Sequence, residues 1–100
     1  MTKSVFEELG LQDSKALEAK GMLAAEILKT IRQRGLTQKE AATLAGSTQS
    51  KISRICRAEL DGFSTEKLIQ VLTGLGRDVT VEVGKRVNKT RPGQLTVAAA

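Results

Sequence analysis

Histidine, tryptophan and tyrosine are absent from the 100 residues, and cysteine and proline occur once each. Without histidine the chain lacks the commonest general base and the commonest zinc ligand. A lone cysteine, Cys56, can close no internal disulfide and build no thiolate metal cluster. These absences argue against zinc sites, Cys–His or Ser–His–Asp catalysis and disulfide-stapled secreted scaffolds. No enzymatic activity, cofactor or metal is expected. The only aromatic residues are Phe6 and Phe63, so the core has to come from Leu, Ile, Val and Ala. No run reaches the ~20 apolar residues of a membrane helix. Residues 1–10, MTKSVFEELG, carry acids where a secretory leader needs an apolar stretch. A cytoplasmic protein of one domain is therefore expected.

Charge is unevenly placed. Sixteen basic and eleven acidic residues leave +5, but residues 29–57 alone carry seven basic residues and one acidic. Residues 1–28 and 58–84 are each net acidic, and residues 85–100 hold four basic residues and no acid. A basic block between acidic ones suits a nucleic-acid face. A solvated basic surface without a ligand is the plainer alternative.

Residues 1–12 read as an arm, with Phe6 and Leu9 able to pack on the body. Asp13 or Ser14 can cap a helix over 14–34, where Leu17, Ala24, Ile27, Leu28 and Ile31 keep helical spacing and Gly35 marks the stop. Thr37 and Glu40 form the S/T-x-x-E capping pattern ahead of a short Ala-rich helix, 38–45. Gly46 breaks it, Thr48 caps a helix over 49–57 with Ile52 and Ile55 inward, and residues 58–63 connect to a fourth helix. That helix, 65–75, is capped by Ser64, turns Leu68, Val71, Leu72 and Leu75 inward, and ends at Gly76. Val79, Val81 and Val83 then alternate with Thr80 and Glu82, the period of a strand with one apolar face. A lone strand leaves backbone groups unpaired, so pairing with the same strand of a second copy is expected. Pairing with the tail around Leu95 to Val97 is the alternative. Residues 85–100 read as a flexible basic tail by composition.

Two short helices joined by a Gly-containing turn, Gln38 to Arg57, are a helix-turn-helix candidate. Ala41, Ala42 and Ala45 permit a close crossing. Ile52 and Ile55 anchor the second helix, which leaves Gln49, Ser50, Lys51, Ser53, Arg54 and Arg57 as a polar, basic outer face suited to a major groove. A generic Ala-rich helical hairpin is the competing reading. Cys56, beside Ile55, reads as a small buried hydrophobe, with a redox sensor as the lesser alternative.

The stretch LTQKEAATLAGSTQSKISRICRAELDGFS resembles the helix-turn-helix of the Xre/Cro/C1 family. The likeness runs from VFEELG at 5–10 through LGRDVTVEV at 75–83 and is strongest to small HigA-type antitoxins. Ala58 departs from it, since such proteins usually place Gly after the recognition helix. The resemblance implies a mainly α fold: a lambda-repressor-like bundle of four to five helices plus one C-terminal β-strand used for dimerisation. On that plan residues 13–77 form the DNA-binding domain and 78–84 the dimerisation strand, carried by Val79, Val81 and Val83. The resemblance also implies that Gln38 contacts a phosphate and that Thr48, Gln49, Ser50 and Arg54 face base edges. Lys51 and Arg57 read as phosphate contacts. The implied function is a transcriptional repressor, a homodimer on a palindromic operator in double-stranded DNA. It would be the antitoxin of a toxin–antitoxin module with a RelE-like toxin as partner, and no membrane role. A protein-interaction module without specific DNA binding and a solitary or phage-type regulator are the alternatives.

Overall fold

The structure, a computed structural model, describes residues 13–99. The expected arm, with Phe6 and Leu9, lies outside the described residues. Four helices follow one another: α1 (Asp13–Arg34), α2 (Gln38–Ala45), α3 (Gln49–Cys56) and α4 (Thr65–Gly74). Local chemistry sets nearly every boundary. The Thr37 hydroxyl accepts from the Glu40 N–H at 3.0 Å while the Glu40 carboxylate accepts from the Thr37 N–H at 2.9 Å, so two otherwise unpaired donors are satisfied reciprocally. Thr48 caps α3 through the Lys51 N–H and Ser64 caps α4 through the Lys67 N–H. Gly46, at φ +63, ends α2 with its N–H on the Ala42 and Thr43 carbonyls. A left-handed residue there turns the chain without the steric cost a Cβ would add.

The packing gathers the apolar edges of all four helices. Leu23, Ala24, Ile27 and Ile31 of α1 meet Ala41 and Ala42 of α2, Ile52 and Ile55 of α3, and Leu68, Val71 and Leu72 of α4. The connector after α3 adds Leu60 and Phe63, and Leu75 follows α4. Helix α2 crosses the end of α4 at very short range: a Cβ added at Gly74 would sit 2.8 Å from the Ala45 Cα and 2.9 Å from the Leu44 carbonyl oxygen. Beyond α4 the chain is pinned back on α1. Arg77 donates to the Thr30 hydroxyl at 3.0 Å and to the Glu26 carboxylate at 3.1 Å, and Arg34 donates to the Leu75 carbonyl at 2.8 Å.

Two expectations need correction. Leu17, placed inward by spacing, is 61% exposed, whereas Ala16 and Ala19 on either side of it are buried, so the inward face of this turn of α1 runs through the alanines and not through Leu17. The strand expected at 78–84 is absent: among the described residues no segment is a β-strand. Alternation supplies a face but no partner, and a ladder requires a second edge. Val79 still packs on the core, whereas Val81 and Val83 are exposed. The tail does return: residues 95–99 and 77–82 line one cleft of about 360 Å³ over Leu23, Ile69 and Leu72. Val97 packs on the core as Val79 does, yet no ladder joins the two segments.

Two substitutions test these boundaries. Gly74→Ala forces a Cβ against backbone that has little room to yield and is expected to cost about 1–3 kcal/mol despite the better helix propensity of alanine. Ala58 sits at φ +58 just beyond α3. Ala58→Gly is expected to stabilise by roughly 0.5–1 kcal/mol, the relief of a left-handed Cβ less the entropy glycine adds to the unfolded chain. Urea unfolding of both variants measures each effect, and an unchanged midpoint in either would contradict its assignment.

Candidate nucleic-acid interface

Helix α3 is eight residues long and makes its contacts through one edge, where Ile52 and Ile55 are fully buried. Its first turn is thereby turned toward solvent, while Ser53, Arg54 and Cys56 are half-buried. Gln49, Ser50 and Lys51 are exposed in its first turn, and Thr48 is exposed as its N-cap. The Thr48 oxygen accepts from the Lys51 N–H at 3.2 Å, which leaves the hydroxyl proton available to a ligand acceptor. Gln38 is the first residue of α2 and half-buried. Unpaired N–H groups at a helix N-terminus and a nearby amide suit a phosphate oxygen.

The two arginines expected on this face are held differently from the first-turn residues. Arg54 is half-buried; its guanidinium lies 4.9 Å above the centroid of the Phe63 ring and donates to the Asp61 carbonyl at 2.6 Å. Stacking on a π face and a fixed carbonyl together hold its orientation. Arg57 is exposed, and Glu59 holds it with both carboxylate oxygens, Nε to Oε1 at 3.1 Å and Nη2 to Oε2 at 3.2 Å. Its remaining nitrogen, Nη1, donates to the Ser53 hydroxyl. The bond from Arg57, with its charge, holds the Glu59 carboxyl below the usual carboxylate range. The same pairing raises Arg57 further above an already high value.

Residue reading missed Glu59, Asp61 and Phe63 as parts of this face and left them in a connector. The signal was present as two acids and an aromatic ring directly after the basic helix. Cys56 is half-buried against the core, and burial pushes its thiol up, with Arg32 and Arg57 opposing. A raised thiol favours the protonated, unreactive form. Among the described residues no group of three or more His, Cys, Asp or Glu could hold a metal ion, and no helix is long and apolar enough to cross a membrane.

Val79, Val81 and Val83, expected to carry dimerisation, follow α4 and are not part of the α2–α3 face. The first-turn residues of α3, its cap and Gln38 belong to the two helices joined at Gly46, whereas Arg54 and Arg57 are drawn toward the connector.

Comparison with known proteins agrees with this architecture. A family model described as a helix-turn-helix domain matches residues 5–84. A solved structure described as an XRE-family transcriptional regulator is similar over 89% of this chain and 100% of its own, with a TM-score of 0.79 and 30% identity. No curated protein matches by sequence.

Proposed function

Since the chain belongs to the helix-turn-helix domain family, we propose that it is a sequence-specific DNA-binding transcriptional repressor that acts by occupying a promoter. The observation that carries this reading is α3 itself: a helix anchored on one edge by Ile52 and Ile55, with an exposed polar first turn. An α-helix fits the major groove, and residues in the first turn of such a helix reach base edges. Gln49 suits adenine through paired amide contacts, and Ser50 and the Thr48 hydroxyl suit several edges. Arg54 suits guanine; its stack on Phe63 presents the guanidinium in a fixed plane. Gln38, Lys51 and Arg57 serve the phosphates and set register without reading sequence. A module made only for protein contacts would have no need of this basic polar face.

The repressor works as a two-fold dimer on a palindromic operator, which sets two recognition helices ~34 Å apart. Val79, Val81 and Val83 carry the contact between copies. Val81 and Val83 are exposed apolar side chains on a segment whose backbone joins no ladder. A second copy would cover these exposed apolar side chains. The LDGFSTEKL and LGRDVTVEV stretches favour a HigA-type antitoxin that also neutralises a RelE-like toxin. A RelE-like reading frame beside the gene separates this role from that of a solitary regulator.

Gln49→Ala is expected to cost ~1–3 kcal/mol of discrimination at one base position, read by binding to a series of single-base operator variants. An unaltered preference at every position would remove Gln49 as a base reader. Val81→Pro takes a donor from the contact segment, and sedimentation is expected to find the variant monomeric. If it sediments as a dimer, the contact between copies lies elsewhere.

A further inference from the structure

We propose that Glu59 is a positioning residue that sets the ratio of specific to non-specific DNA affinity by keeping Arg57 from phosphates until the helix is docked. The inference rests on the DNA-binding reading above and adds to it a residue that acts through another.

Arg57 is the capping residue at the C-terminal end of α3. Each of its three guanidinium nitrogens is engaged, two by Glu59 and one by Ser53. The two-pronged carboxylate contact occupies the Nε–Nη2 edge, which also suits a phosphate, and Ser53 takes one N–H of Nη1, so on that edge the two anions compete. Glu59 is held in place by the way the helix ends. The left-handed turn at Ala58 reverses the chain, and the Glu59 N–H then bonds to the Arg54 carbonyl at 2.9 Å. The carboxylate is thus built into the helix stop and does not belong to a loose loop.

Charge gives the consequence. Between residues 54 and 61 the charges of Arg54 and Arg57 are balanced by those of Glu59 and Asp61, while Lys51 in the first turn has no acidic partner among the described residues. A closed Arg57–Glu59 pair presents no net charge to the phosphate chain and displaces no counterion. The pair is half-exposed on both sides and therefore weak. A phosphate brought into register by the other contacts displaces the carboxylate. A phosphate met in a loose, unregistered encounter does not. Operator binding opens the pair, and non-specific binding leaves it closed.

Glu59→Gln keeps the shape and removes the charge. Binding is measured over a range of salt on the protein's own promoter DNA and on a scrambled duplex of equal length, for the wild type, Glu59→Gln, Glu59→Asp and each in an Arg57→Gln background. On the scrambled duplex Glu59→Gln is expected to bind about three- to tenfold more tightly, with the log–log salt slope steeper by about 0.9, one added phosphate contact. On the promoter the slope is expected to stay unchanged and the specificity ratio to fall. Glu59→Asp restores the wild-type slope, and with Arg57→Gln present the slope no longer responds to residue 59. Equal gains on both duplexes with unchanged slopes, or a slope change that persists without Arg57, would overturn the inference while leaving DNA recognition intact. A wild-type protein with no preference for the promoter would overturn the DNA-binding reading and this inference with it.

Discussion

An eight-residue helix has no stability of its own in water, because nucleation costs more than a turn or two of hydrogen bonds returns. Helix α3 exists because Ile52 and Ile55 are sealed into the core and because Thr48 satisfies a free donor at its start. Everything proposed for the outer face depends on that anchoring. The two isoleucines fix the rotation of the helix about its axis, and the rotation decides which residues meet solvent. Helix α2 then has to approach closely, which small residues allow: Ala41 and Ala42 are buried, and Gly74 leaves room for the Ala45 backbone. A larger residue at any of these positions would tilt the hairpin and re-aim the polar face.

Much of this was legible in the residues because it is local. Thr37 with Glu40, Gly46, Thr48 and Ser64 act within a few residues of themselves, and the four helices begin and end close to where these signals put them. The anchoring pair, Ile52 and Ile55, follows from helical spacing in the same way. What escaped was non-local. The Gly74 crossing joins residues far apart in sequence, and the Arg77 bonds to Thr30 and Glu26 span more than forty residues. Leu17 keeps a helical period but falls off the buried face, which in that turn of α1 is carried by Ala16 and Ala19. The valine alternation at 79–83 has the period of a strand, but a ladder is a relation between two segments, and among the described residues none pairs with this one.

The face itself was legible in identity and less so in state. Gln49, Ser50 and Lys51 are exposed as the spacing requires. For Arg54 and Arg57 the sequence shows two cations, whereas the structure shows one stacked on Phe63 and tied to a carbonyl and the other held by Glu59. Positive charge counted along the chain therefore overstates the charge ready to meet a phosphate. The departure at Ala58 belongs to the same region: the chain makes the left-handed turn anyway, at φ +58, and so brings Glu59 back onto the helix end.

The central claim is that an anchored α3 reads DNA sequence through its exposed first turn. Titration of the purified protein into its own promoter DNA and into a scrambled duplex, at two salt concentrations, tests this most directly. The account predicts tight binding to the promoter that weakens steeply as salt rises, with the scrambled duplex bound far more weakly. Equal weak binding to both duplexes would leave only a basic surface and contradict the claim.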